Sequence, residues 1–217
     1  MKKQEILRRL LEEKIISIIR LRNGEITSHI IDYLVKGGIK VLEITSNTPN
    51  FDIEIAKARK KYPNILVGAG TITTRENAQI AIDAGAQFLV TPNTDQGIVE
   101  QAKSANIPVV MGAFTPTEIS NAIAFGADII KLFPANQLGS SYYKSLKGPY
   151  ADVKFFAVGG IGLNNIEEWF DAGIDGVGVG GTLITSEIKT LEEWEAIEYN
   201  ASRFVDRLKK IHESVTD

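Results

Sequence analysis

Eight short apolar runs, each rich in valine and isoleucine, recur along the chain with neighbouring starts 20 to 26 residues apart. They are IISIIR (15–20), IKVLEIT (39–45), ILVGAG (65–70), QFLVTP (87–92), IPVVMG (107–112), DIIKLF (128–133), VKFFAV (153–158) and DGVGVGG (175–181). Their apolar residues are continuous rather than alternating, so both faces of each run need cover, the pattern of a parallel sheet beneath helices. Amphipathic segments lie between them with helix punctuation: Pro49 at an expected first turn, Thr115-Pro-Thr-Glu118, and Asn164-Asn-Ile-Glu167 as a capping arrangement. Eight such units are what a (β/α)8 barrel requires, and 217 residues is near its lower size limit. An open doubly wound sheet is the competing architecture. Without a linker or composition shift, residues 1–217 read as a single α/β domain, a (β/α)8 barrel. The opening MKKQEILRRLLEEK forms an extra N-terminal surface helix.

A weak internal repeat supplies a register. Gly38, Gly85, Gly126 and Gly173 each stand where a helix ends and an even-numbered strand begins, a place that favours the left-handed backbone open to glycine. Five residues on from each lie Glu43, Val90, Lys131 and Gly178; seven on lie Thr45, Pro92, Phe133 and Gly180. Alternate strands of such a barrel contribute four inward side chains to one layer. Glu43, Val90, Lys131 and Gly178 are therefore expected in one layer, with the second set above it at the mouth.

The composition removes several kinds of chemistry. Lys+Arg 24 against Asp+Glu 27 leaves a net charge of −3, which speaks against a nucleic-acid partner. No apolar run is long enough to span a bilayer, and the N-terminal helix lacks the apolar stretch of a leader; the expectation is a cytoplasmic protein with no membrane partner. With no cysteine and two histidines, thiolate chemistry, cysteine-bound zinc and a Ser-His-Asp relay are out of reach or hard to build. His29 and His212 read as helix-packing or surface residues. Catalysis falls to Lys, Arg, Asp, Glu, Tyr, Ser or Thr.

Lys131 stands in an otherwise apolar strand, Ile-Ile-Lys-Leu-Phe-Pro. One reading is a packed stem with an amine that snorkels to water; another is a purely structural ion pair with Glu43. The functional reading is that desolvation leaves a neutral amine near physiological pH, able to attack a ketone and form a Schiff base. Glu43 would move protons beside it, and Gly178 would leave room for a small carbonyl compound. Eight of the 19 glycines fall within residues 159–181. The turns after the seventh and eighth strands suit phosphate held by backbone N–H groups and the N-terminus of a short helix; relief of crowding at barrel corners is the alternative. Arg20 and Thr71 suit a carboxylate, although Arg22 competes with Arg20, and Thr71 has a second reading as a helix cap.

In order along nearly the whole chain, Val-Leu-Glu43-Ile-Thr, Gly68-Ala-Gly-Thr71, Val-Thr-Pro92, Lys131-Leu-Phe-Pro, Val-Gly159-Gly160 and Gly-Val-Gly-Gly resemble the 2-keto-3-deoxy-6-phosphogluconate / 2-keto-3-deoxy-6-phosphogalactonate aldolase family. The resemblance implies a metal-independent class I aldolase on a (β/α)8 barrel, usually a homotrimer. It also implies a Schiff-base lysine at Lys131 and a proton-transferring glutamate at Glu43. Thr71 matches a position contacting the pyruvyl carboxylate, and Phe133 lines the site. Gly159, Gly160, Gly181 and Thr182 match the phosphate pocket. Pro92 lies in one of the matching motifs and joins the expected substrate-binding set with Arg20. Gluconate-type members often carry an arginine and a threonine where this chain has Asn47 and Val158, which shifts carboxylate anchoring toward Arg20.

The implied substrate is a phosphorylated 2-keto acid, cleaved reversibly to pyruvate and glyceraldehyde 3-phosphate with no cofactor. Two alternatives remain: activity chiefly on 4-hydroxy-2-oxoglutarate, and a non-catalytic sugar-phosphate-binding barrel. The decarboxylase pattern Asp-x-Lys-x-x-Asp is absent around Lys131. Finally, Leu191, Trp194, Ile197, Ala201, Phe204, Leu208 and Ile211 form one apolar stripe on a C-terminal helix.

Overall fold

The computed structural model describes residues 1–184, 188 and 190–216. Eight parallel strands follow the eight apolar runs: β1 (Ile15–Ile19), β2 (Val41–Thr45), β3 (Leu66–Gly70), β4 (Leu89–Val90), β5 (Val109–Ala113), β6 (Ile129–Leu132), β7 (Phe155–Val158) and β8 (Gly176–Val179). They pair in sequence order and close on themselves, β8 bonding to β1 through Ile16↔Gly178. The open-sheet alternative is thereby excluded. Every strand residue is buried, because odd positions of β1 face the helices while even positions face the barrel axis, and the other strands alternate likewise.

Two apolar cores result. One lies between the strands and the surrounding helices. The other fills the barrel, where Ile16, Val41, Leu66, Phe88, Ile129 and Phe156 meet Ile6 and Leu10. Those last two belong to α1 (Lys3–Glu13), so the extra N-terminal helix is a plug beneath the barrel rather than a surface ornament. Lys3 pins it through a 2.8 Å ion pair to Asp128, whose other carboxylate oxygen accepts the Val109 N–H. Inside the barrel, large and small side chains complement one another: a Cβ on Gly68 would strike the Phe88 ring at 2.6 Å, and one on Gly176 the Phe156 ring at 2.5 Å.

The glycine repeat behaves as its spacing demands. Gly38, Gly85, Gly126 and Gly173 all have φ between 88° and 92°. The helices preceding them include α2 (Thr27–Lys36), α4 (Arg75–Asp83) and α6 (Pro116–Phe125). The capping box at Thr115 and Glu118 is present in full. Two punctuation marks act differently. Pro49 precedes the helix α3 (Phe51–Lys61), whose N-cap is Asn50, so the proline belongs to the preceding turn. Asn165 precedes α8 (Ile166–Asp171) without capping it; its side chain accepts the Gly162 N–H and donates to the Gly160 carbonyl, bracing the glycine loop.

The C-terminal helix α9 (Leu191–Thr216) buries Ile197, Ala201, Phe204 and Leu208. It crosses α2 so closely that a Cβ on Gly37 would lie 2.4 Å from that of Ala201. Leu191 departs from the stripe and is 64% exposed, since it starts the helix before the crossing. His29 packs against Trp194 at 5.9 Å between ring centroids, a structural role. Among the described residues no helix is long and apolar enough to cross a membrane.

Because Leu10 is wholly buried in the plug, Leu10→Ala is expected to cost about 3 kcal/mol, measured as a lowered urea midpoint.

Candidate active site

Alternation along β2 and β6 turns Glu43 and Lys131 toward the barrel axis, where they are 1% and 2% exposed. Val90 lies in the same interior core and Gly178 walls the cavity above, so the inward register derived from the glycine spacing holds for all four residues. The upper set divides. Phe133 and Gly180 border the cavity. Thr45 is fully buried with its hydroxyl on the Ile19 carbonyl at 3.2 Å. Pro92 lies just past β4, with its carbonyl 2.3 Å from where a Gly112 Cβ would stand, and it is not among the residues that wall the cavity.

Burial pushes the Lys131 amine below its ordinary value of 10.5; the Glu43 carboxylate pulls it back up, and the Arg20 cation lowers it further. Burial raises the Glu43 carboxyl, against the lowering pull of Lys131 and Arg20. Desolvation leads in both, so the pair is driven toward its uncharged forms. The amine also sits 4.8 Å from the centroid of the Phe133 ring. Neither snorkelling nor a structural ion pair describes it: the amine is buried, and no ion pair within 4 Å joins it to Glu43. Glu43 Oε1 is buried without a hydrogen-bond partner, an arrangement that costs stability unless a water or a reacting group completes it.

One residue essential to this geometry carried no signal of its own in the sequence. A Cβ on Gly70 would lie 1.7 Å from Glu43 Oε1, so the carboxylate occupies the volume that any other residue there would fill. Gly70 merely ends the Gly-Ala-Gly run; only its β2–β3 pairing with Thr45 places it beside Glu43. Gly178 is subtler than expected. A Cβ there would meet Val158 at 2.8 Å and Ile18 at 3.1 Å, so its missing side chain admits those two as well as a ligand.

Above the amine opens a cavity of about 620 Å³ at the C-terminal end of the strands. Arg20, Lys131, Val158, Gly159, Gly160, Gly181 and Thr182 are among the residues that border it. Gly159 and Gly160 both take positive φ, 105° and 71°, a backbone course open to glycine that brings the main chain to the cavity wall. After β8 the chain makes one helical turn in which Leu183 and Ile184 donate to the Gly180 carbonyl; residues 185–187 lie outside the described residues. Arg20 donates to the Thr71 hydroxyl at 3.2 Å, joining the two residues expected at a carboxylate. Thr71 has φ 55° and does not cap the next helix, a task Thr74 performs. Arg22 is not among the residues bordering the cavity.

A desolvated amine, a carboxyl group and a mouth bordered by Arg20, Thr182 and glycine turns on one closed barrel suit an enzyme that works on small anionic carbonyl compounds. The aldolase model for KDPG and KHG aldolases matches residues 6–199, and the chain belongs to that family. It is 33% identical over 208 residues to 2-dehydro-3-deoxy-phosphogluconate aldolase of Haemophilus influenzae, covering 95% of this chain and 98% of the relative. It is also 33% identical over 172 residues to 2-dehydro-3-deoxy-6-phosphogalactonate aldolase of Escherichia coli, covering 78% and 83%. Among solved structures it resembles KDPG aldolase from Legionella pneumophila with pyruvate captured as a covalent carbinolamine. There the TM-score is 0.80 and identity 27%, over 88% of this chain and 93% of that one.

Since burial holds Lys131 below 10.5, the neutral fraction grows as pH rises through that lowered value. The rate of reductive trapping of a 2-keto acid by cyanoborohydride should therefore level off well below pH 10.5. Glu43→Gln removes the carboxylate that raises the amine's value, so the midpoint should move to lower pH. Gly70→Ala, which displaces the Glu43 carboxylate, should lower the turnover number about 10²-fold while leaving the urea midpoint nearer wild type than Leu10→Ala does.

Proposed function

We propose that the protein is a class I aldolase that reversibly cleaves a 2-keto-3-deoxy-6-phospho sugar acid to pyruvate and glyceraldehyde 3-phosphate. The observation that carries this reading is the buried Lys131 amine facing the cavity floor, with Glu43 in the same inward layer. A neutral amine is a nucleophile, and one held neutral by burial needs no separate base to activate it.

Lys131 Nζ attacks the substrate's C2 carbonyl to give a carbinolamine. Glu43 protonates the departing hydroxyl, and loss of water leaves an iminium. Removal of the C4 hydroxyl proton then breaks C3–C4: its electrons flow into the iminium to form an enamine, and the C4 carbon leaves as the aldehyde of glyceraldehyde 3-phosphate. Glu43, now ionised, is the group placed to accept that proton, directly or through a water on its unpartnered Oε1. Protonation of the enamine at C3 and hydrolysis of the new iminium release pyruvate and restore the amine. The iminium is the electron sink, so the reaction as written calls on no metal or organic cofactor.

Binding follows the two anionic ends of the substrate. The carboxylate lies toward Arg20 and Thr71, whose guanidinium and hydroxyl already touch. The phosphate lies toward Gly159, Gly160, Gly181 and Thr182, which border the cavity on the turns after β7 and β8. Phe133 lies over the amine. Val158 borders the cavity with a side chain that has no hydrogen-bonding group. 4-Hydroxy-2-oxoglutarate shares the reacting 2-keto-4-hydroxy acid unit and would use the same amine, without the glycine turns. A homotrimer working in the cytoplasm is the accompanying reading, supported by the family resemblance.

Incubation with pyruvate and borohydride is expected to add one reduced pyruvyl group, at Lys131 alone, seen by peptide mass spectrometry. Lys131→Ala should abolish the adduct and cleavage together, and Glu43→Gln should lower turnover about 10²–10⁴-fold. Wild-type protein that stays unlabelled at saturating pyruvate would remove the proposal.

A further inference from the structure

Arg20 sits one residue past the end of the β1–β2 ladder, which stops at Ile19↔Ile44, and its side chain is exposed at the mouth. Strand pairing therefore does not aim it. What holds its backbone is a pair of buried hydroxyls from the end of β2. Thr45 and Thr48 are 0% and 1% exposed, and their Oγ1 atoms lie 3.0 Å apart. The Leu21 N–H donates to Thr48 Oγ1 at 3.2 Å. The Ile19 carbonyl lies within reach of Thr45 Oγ1 at 3.2 Å and of Thr48 Oγ1 at 3.3 Å.

Each hydroxyl has one proton. Leu21 N–H donates to Thr48, and of the two hydroxyls one donates to its neighbour and the other to the Ile19 carbonyl. The chain of donors starts on the peptide after Arg20 and ends on the peptide before it, so the residue is clamped on both sides. The same tight turn, closed by the Thr48 N–H on the Thr45 carbonyl at 2.8 Å, also presents Ser46. Ser46 Oγ donates to the Thr71 carbonyl at 2.7 Å, and Ser46 N–H to the Gly70 carbonyl at 2.8 Å. Both halves of the Arg20–Thr71 pair are thus fixed by hydroxyls of residues 45–48.

We infer that Thr48 is a positioning residue for the substrate carboxylate: its buried hydroxyl sets the direction of Arg20, while Ser46 of the same turn sets Thr71. This rests on the aldolase reading above, in which those two residues hold the carboxylate. Thr48 itself does not border the cavity and touches no reacting atom. Its effect falls chiefly on binding of the keto acid, because Lys131 lies across the barrel on β6 and Arg20 is the smallest of the three influences on its amine. Valine at this position keeps the branched shape and removes the hydroxyl, leaving the Leu21 N–H buried without a partner. A misaimed guanidinium then loses a charge-assisted contact, an effect on the order of tenfold.

The test is the pyruvate dependence of borohydride trapping at Lys131. Thr48→Val should raise the half-saturating pyruvate concentration about tenfold and leave the trapping rate at saturation within about twofold. Thr48→Ser, which restores the hydroxyl, should return it to near the wild-type value. In an Arg20→Gln background, Thr48→Val should add nothing further, whereas a generally loosened barrel would add its full effect. Ser46→Ala, at a half-exposed site that folding tolerates, should raise the same concentration about threefold through Thr71; this arm stands if Thr48→Val does not fold. Unchanged half-saturation in Thr48→Val or Ser46→Ala, with wild-type protein labelled normally, overturns this inference alone. Failure to label wild-type protein overturns the aldolase reading and this inference with it.

Discussion

An ammonium group inside a protein is expensive unless something compensates it, and here the compensation is incomplete by construction. Lys131 points into a barrel whose lower half is packed with Ile16, Val41, Leu66, Phe88 and Phe156 and sealed by α1. The one acidic group in its layer, Glu43, is itself buried and raised toward its neutral form. Burial thus lowers the amine's proton affinity more than the carboxylate restores it. Closure of the sheet is the condition for all of this. On an open sheet the same lysine would lie on a face with access to an edge, and its amine could reach water.

The volume around the amine is shaped by absent side chains. Gly70 yields its Cβ space to the Glu43 carboxylate, Gly68 to Phe88, and Gly176 to Phe156. These glycines have ordinary negative φ, so their reason is close approach rather than turn geometry. Gly159 and Gly160 differ: their positive φ builds the concave backbone at the mouth. One residue type therefore serves packing at the waist of the barrel and backbone turning at its rim. The Arg20–Thr71 pair is held by other means: both residues stand on loops, and hydroxyls from the turn at the end of β2 bond the backbone beside each.

Much of this was legible before any coordinates. The eight apolar runs coincide with the eight strands because continuous burial leaves a periodicity-independent mark. The glycine spacing carried the register because Gly38, Gly85, Gly126 and Gly173 each end a helix in the same left-handed conformation, so the count to the inward layer is constant. Local rules were less secure. Pro49 lies in a turn ahead of its helix, and at the Asn164–Glu167 stretch the helix does begin but the Asn165 side chain braces the glycine loop instead of capping, since the same residue types serve both uses. The mouth residues Thr45 and Pro92 share a count with Phe133 and Gly180 but not a role: Thr45 spends its hydroxyl on the Ile19 carbonyl and Thr48, and Pro92 packs its backbone against Gly112, contacts that a count along the chain does not reveal.

What the order of residues alone determined is the number of strands, their inward faces, and an amine and a carboxyl group in one layer, all consequences of period and punctuation. Tertiary structure decided what those residues experience. That α1 plugs the barrel, that Gly70 makes way for Glu43 and that Arg20 meets Thr71 each depend on contacts between segments distant in sequence. Desolvation and steric exclusion are properties of such contacts and leave no periodic trace along a single segment.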